Sequence, residues 1–189
     1  MSEAVDFTFP HEYECEVLDN LPGYDPASHR YFSLRREAGG GDGVLLRVQP
    51  PAAASWLGTF TFGSFGKQGV TRTMSMPDRT RICVVSRGQG YIVPASDPER
   101  WEPVWVDPVI DIRPIPAAGL VVFADYTHLV AYGAEGIRWK TKRLTWSNMK
   151  LLAVTDEKIV GEYDDLGGDL PRTFEVDVAT GKNVGGVEQ

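Results

Sequence analysis

His128 is the residue of this sequence best placed to do chemistry, because it follows Asp125 and Tyr126 in a predicted turn. An aspartate close to a histidine can orient the imidazole ring for general-base catalysis. The three residues are therefore candidate catalytic residues of a hydrolase or isomerase that acts on a small substrate. A histidine exposed in a turn has the same local sequence without any catalytic role, and this simpler interpretation is preferred.

A row of cations forms a second candidate site. Arg138, Lys140 and Lys142 are spaced two positions apart, so in a strand they share one face. No acidic residue occurs from Ile137 to Thr155, and the row is a candidate binding site for an anionic ligand or an acidic partner. Lysines also protect an edge strand from pairing with other sheets, and this explanation, which needs no partner, is favoured.

Carboxylates cluster in a glycine-containing segment near the end of the chain. Asp164, Asp165 and Asp169 are candidate ligands for calcium, but their spacing does not match the twelve-residue calcium loop. A solvated acidic turn is the preferred interpretation, so no metal is predicted. No cofactor is predicted either. The glycine-containing segment 63–69 lacks the first glycine and the Ser/Thr of a phosphate-binding loop, because Thr61 and Gln68 occupy those positions.

The elements that would position these residues are short strands. Glycine (20) and proline (13) divide the 189-residue chain into short alternating or β-branched runs, which predict strands. No window of a dozen residues has a convincing helical period. The sequence therefore predicts one all-β domain over residues 1–189, built from antiparallel meanders. Residues 1–30 are strongly acidic and predict a solvated N-terminal arm, in which 14–18 could add one strand.

An internal repeat indicates how the strands are grouped. Residues 82–101 align without gaps on residues 120–139, and Arg100-Trp101 falls on Arg138-Trp139 at an offset of 38. The repeat predicts units at 82–119, 120–157 and 158–184, with a divergent unit at 44–81. A unit of this length with about four strands suits one propeller blade, because a single small sheet cannot bury both of its faces alone.

The repeat is similar to blades of the quinoprotein-like β-propeller superfamily, whose blades often end in an Asp-x-x-Thr-Gly-Lys turn. Residues 177–182 have that form, and the resemblance covers residues 82–184. It implies a propeller-like fold, and it implies no quinone cofactor, because none of the superfamily's cofactor-binding residues is recognisable here. A two-sheet β-sandwich or open barrel has the same alternation and a similar strand count, so both architectures stay open.

Charge and composition limit the function classes. The net charge of -7 disfavours binding to nucleic acid. The N-terminal residues lack a signal-peptide pattern, the apolar runs are too short to span a membrane, and two cysteines make no disulfide framework. These features predict a cytoplasmic protein. The preferred function is a non-catalytic module that binds an unknown protein or small-molecule ligand, and a homodimer is possible because a second copy could complete an open ring.

Overall fold

The computed structural model describes residues 4–23, 28–34, 41–64, 69–164 and 170–187. Within these residues the chain forms strands and two short 3-10 turns, Pro98–Arg100 and Pro116–Ala118. The strands are β1 Ala4–Asp6, β2 Glu14–Leu18, β3 Ser28–Phe32, β4 Gly43–Gln49, β5 Trp56–Thr61, β6 Arg72–Ser75, β7 Arg81–Ser86, β8 Gln89–Pro94, β9 Glu102–Pro103, β10 Asp111–Ile115, β11 Leu120–Ala124, β12 Leu129–Gly133, β13 Gly136–Lys140, β14 Lys150–Val154, β15 Lys158–Tyr163, β16 Arg172–Asp177 and β17 Asn183–Gly185.

The strands form four separate sheets. Sheet I has the order β2-β4-β5-β3, sheet II β1-β6-β7-β8-β9, sheet III β10-β11-β12-β13 and sheet IV β14-β15-β16-β17. Most pairs are antiparallel, and two are parallel: β1 with β6 and β3 with β5. None of the four sheets closes into a barrel over the part of the chain that is described. The prediction of an all-β chain built from antiparallel meanders is confirmed.

Sheet II is covered on both faces, as the alternation along β7 shows. Ile82 and Val84 join the core that sheet II shares with sheet I. Cys83 and Val85 point to the other face and join the core shared with sheet III. Burial on both faces explains why this strand reads as a continuous apolar run rather than as an alternating one.

A third core lies between sheets III and IV, where Val122 and Leu129 pack with Ile159 and Phe174. The four sheets therefore stand in a row, in the order I, II, III, IV. Sheet IV ends this row, and its outer face carries the ion pair of Lys158 with Glu175 (3.3 Å) beside the exposed Val184.

The gapless repeat alignment does not match the register of the strands. It equates Ile82 with Leu120, but Ile82 faces sheet I, which precedes it in the row, whereas Leu120 faces sheet IV, which follows. The hairpin turns differ in length, because two residues separate β7 from β8 and four separate β11 from β12. Trp101 consequently packs near Phe32 in the core between sheets I and II. Trp139 instead lies in β13 and joins the core between sheets III and IV.

Three of the four predicted repeat units span parts of two sheets, whereas unit 158–184 lies in sheet IV alone. Unit 82–119 contains β10 of sheet III, unit 120–157 contains β14 of sheet IV, and unit 44–81 combines strands of sheets I and II. The acidic segment 1–30 supplies β1 and β2, and between them Phe9 and Tyr13 are buried. Residues 4–23 are therefore part of the folded body, and in β2 Glu14 and Glu16 alternate with the inward-packing Cys15 and Val17.

The two cysteines lie in different cores. Cys15 packs against the core between sheets I and II, and Cys83 is fully buried between sheets II and III. Both are free thiols. Burial, with a smaller effect of Glu16, raises the pKa of Cys15 to about 12, and burial raises the pKa of Cys83 further.

We expect neither thiol to react in the folded protein, because the thiolate is the reactive form and burial suppresses it. The measurement is alkylation by iodoacetamide at about pH 8, followed by mass spectrometry of the intact chain. We expect no adduct in buffer and two adducts in denaturant. Rapid labelling of Cys15 in buffer would contradict the raised pKa of its thiol.

Candidate functional site

The candidate catalytic residues lie in the turn 125–128 between β11 and β12, at one edge of sheet III. Two linkers meet the turn at this edge. The first linker, residues 104–110, contacts the start of the turn, where the Ile110 amide donates to the Ala124 carbonyl (2.8 Å). The second linker, residues 141–149, contacts the turn itself, where the Leu144 amide donates to the Thr127 carbonyl (2.8 Å). These three segments, 104–110, 125–128 and 141–149, are called the His128 edge below.

Asp125 stabilises the turn by accepting hydrogen bonds from other residues of the same turn. Its Oδ1 accepts hydrogen bonds from the backbone amides of Thr127 and His128, both at 2.6 Å, and from the Thr127 hydroxyl at 3.0 Å. An aspartate that bonds the backbone two and three residues ahead is a common device for fixing a tight turn. The carboxylate predicted to serve a catalytic base therefore serves the local fold.

The His128 ring contacts three neighbours. Its Nδ1 lies 2.7 Å from the Thr127 hydroxyl and 3.6 Å from Asp125 Oδ2, and its ring meets the Trp105 ring edge-on at 5.7 Å between centroids. At a separation of 3.6 Å the Asp125 carboxylate and the imidazole are not hydrogen-bonded to each other. Tyr126 contributes its backbone carbonyl, which accepts from the Thr145 hydroxyl (2.6 Å).

Trp105 joins the site from the linker between β9 and β10. Its backbone amide donates to the Tyr132 hydroxyl (3.0 Å), and Lys140 Nζ lies 4.2 Å above the centre of its ring. The side chain is nevertheless 43% exposed. Nearby, burial and the charge of Asp125 raise the pKa of Asp107. The place of Trp105 beside His128 and Lys140 depends on contacts between segments that are distant in sequence.

A second exposed tryptophan follows on the same edge. Trp146 is 48% exposed, and the Arg143 guanidinium lies 5.4 Å from the centre of its ring. A cation over an aromatic face is held in place by the negative charge density of the ring. Trp105, Lys140, Lys142, Arg143 and Trp146 together are called the basic-aromatic surface below.

The predicted row of cations is divided by the structure. Arg138 forms a β-bulge in β13. Tyr132 of β12 pairs with Ile137 and Ala131 pairs with Trp139, so Arg138 between them has no partner residue on β12. Arg138 lines a shallow depression of about 490 Å³ with residues 118–120 and 133–137, at the end of β13 remote from the His128 edge. Lys140 and Lys142 belong to the basic-aromatic surface instead. Because β13 is the edge strand of sheet III, its charges also suit the edge-protection role.

The described cations fall into two groups, those with a carboxylate partner and those without one. Among the described residues, ion pairs with carboxylates hold Arg30, Arg47, Arg72, Arg81, Arg113, Lys150 and Lys158. Lys140, Lys142 and Arg143 have no such partner within that part of the chain. Arg79, Arg87, Arg100, Arg138 and Lys182 also lack an ion pair in the described ranges, but Lys140 and Arg143 differ from these in lying over exposed tryptophans.

The candidate metal site falls largely outside the described residues, which include Asp164 but neither Asp165 nor Asp169. Asp164 accepts a hydrogen bond from the Asn148 side-chain amide (3.0 Å). Over the described ranges, no three His, Cys, Asp or Glu side chains converge as metal ligands. No helix in the described portion is long and apolar enough to cross a membrane.

Comparisons with known proteins give no family for this chain. No family model and no curated protein matches it. A solved structure described as the AfRom2 CNH domain aligns over 70% of this chain and 46% of its own, at 8% identity and a TM-score of 0.36. The chain thus spans less than half of that chain, and a likeness of this size supports no inference about function.

Proposed function

We propose that the protein is a non-catalytic binding module, in which a rigid row of blade-like sheets presents the basic-aromatic surface to an acidic protein partner. The observation that carries the proposal is the group of three uncompensated cations, two of which lie over exposed tryptophans. Charge that the fold leaves unpaired is available to an oppositely charged partner.

The face-to-face packing of the sheets is consistent with a sandwich-like fold, and it also suits the propeller-like scaffold that we propose. In a sandwich each sheet covers the core with one face only. Here sheets II and III each contribute to two cores, one on either face, as blades in the middle of an arc do. Neighbours on both sides hold such sheets in place, which suits a scaffold that presents its loops in a fixed geometry.

The basic-aromatic surface has the composition of a recognition site. Exposed tryptophans are enriched among the residues that dominate binding energy, because they offer a large apolar area and lose little entropy. Lys140 and Arg143 are positioned in advance by the rings beneath them. Free thiols are typical of proteins in reducing compartments, so the proposal places this module in the cytoplasm.

The test is binding of a fluorescein-labelled peptide of about a dozen residues, composed of glutamate and tyrosine, at about 50 mM salt. We expect binding that weakens as salt rises, and replacing Lys140, Lys142 and Arg143 by alanine should weaken it by about tenfold or more. The readout is fluorescence anisotropy, together with quenching of the tryptophan emission.

A matched control removes three paired cations and so makes the same change in net charge. Alanine at Arg113, Lys150 and Lys158 should leave peptide affinity within about twofold of the parent, because these side chains already have carboxylate partners. Equal weakening in both triple variants would overturn the proposed site. Preferential binding of an oligothymidylate would overturn the acidic partner, since aromatic and basic groups also bind single strands.

A further inference from the structure

One end of the row of sheets carries uncompensated negative charge. The first 26 residues contain seven carboxylates, and no lysine or arginine precedes Arg30. In the structure Glu12, Glu14, Glu16 and Asp19 are exposed in and around β2. Only Glu16 of these four has a cationic partner among the described residues, and that partner is Arg47 (2.7 Å).

This acidic group lies on sheet I, at the opposite end of the row from sheet IV. Glu14 and Glu16 point away from the core, because the intervening Cys15 packs inward with Val17. Sheet II separates sheet I from sheet III, which carries the basic-aromatic surface. Within the described residues no ion pair joins the two groups, so each is open to another molecule. Glu12, Glu14, Glu16 and Asp19, with the neighbouring Leu21, are called the acidic end below.

The acidic end also offers an apolar contact. Leu21 is 47% exposed and follows Asp19 by two positions. The acidic end combines carboxylates with one exposed aliphatic side chain, and the basic-aromatic surface combines cations with exposed tryptophans. The two surfaces are therefore complementary in charge, and both offer apolar area for contact. The two surfaces are parts of the same chain, so every copy carries both halves of the contact.

We propose that the acidic partner of the basic-aromatic surface is the acidic end of a second copy of this chain. This inference rests on the proposed function, because it names the partner of the same site. A contact between unlike surfaces either closes into a symmetric assembly or continues into a chain. Its attraction is largely electrostatic, so self-association depends strongly on ionic strength.

The test is sedimentation velocity of the full chain over a wide range of concentrations. At about 50 mM salt we expect the mass to rise with concentration, and at about 0.5 M salt we expect the monomer mass throughout. Two charge-reversed variants then locate the contact. One carries Lys142→Glu and Arg143→Glu, and the other carries Glu14→Lys and Asp19→Lys. Thermal unfolding verifies that both remain folded.

Each variant alone should associate at least about tenfold more weakly than the parent, and an equimolar mixture of the two should regain association, because the reversed charges become complementary. A parent that stays monomeric at low salt, or a mixture that regains nothing, would overturn the inference. The labelled peptide separates the two proposals. If the parent stays monomeric but binds the peptide, only the second copy is ruled out as the partner. If it neither associates nor binds the peptide, the proposed function is ruled out as well.

Discussion

Replacing Leu129 with alanine is expected to lower the free energy of unfolding by about 2–5 kcal/mol. The Leu129 side chain is fully buried in the core between sheets III and IV. Removing it takes away apolar burial and leaves a cavity that tightly packed neighbours cannot fill. Urea denaturation, monitored by tryptophan fluorescence, measures the change.

Leu152→Ala is the matched control, because the same atoms are removed from a side chain that is 55% exposed in β14. Its expected cost is below about 1 kcal/mol. Similar losses in the two variants would mean that the sheets do not share the core described here.

The second large effect is expected for Gly161→Ala in β15. A Cβ at Gly161 would lie 2.2 Å from Phe174 Cζ and 2.9 Å from the Lys150 carbonyl oxygen. Phe174 is buried on all sides, so its ring cannot move aside, and overpacking of a filled core costs about 1–3 kcal/mol. The loss is measured by the same denaturation experiment.

Gly133→Ala serves as the control for Gly161→Ala. A Cβ at Gly133 would meet its nearest atom, Leu120 Cδ2, at 3.5 Å, which is an ordinary contact. The double variant Gly161→Ala with Phe174→Leu should be less unstable than the sum of its single changes, because the shorter side chain removes the clash. Strict additivity would show that Phe174 is not the obstacle.

The strands were predictable from the sequence because their signals are local. Alternating and β-branched runs separated by glycine and proline define β7, β8, β11 and β12 without reference to the rest of the chain. The parallel pairing of β1 with β6 was not predictable, because it joins segments far apart in sequence. The register of the repeat was also missed, since the length of a hairpin turn decides which face each side chain takes.

The candidate site also has one part that the sequence predicts and another part that only the folded chain shows. The contact between Asp125 and His128 lies within one turn, and the sequence suggested it. The place of Lys140 over Trp105 depends on how β13 and the linker after β9 meet at one edge, which no spacing rule reveals. Whether a cation has a carboxylate partner is likewise a property of the folded chain, so Arg143 gave no signal in the sequence.

The N-terminal strands have a consequence for how such a chain can be lengthened or shortened. Sheets III and IV each come from one continuous stretch of sequence, residues 111–140 and 150–185. Sheets I and II cannot be separated in this way, because β1 belongs to sheet II although β2, which follows it, belongs to sheet I. Duplication of one whole sheet is therefore simpler for sheet III or sheet IV than for sheet I or sheet II.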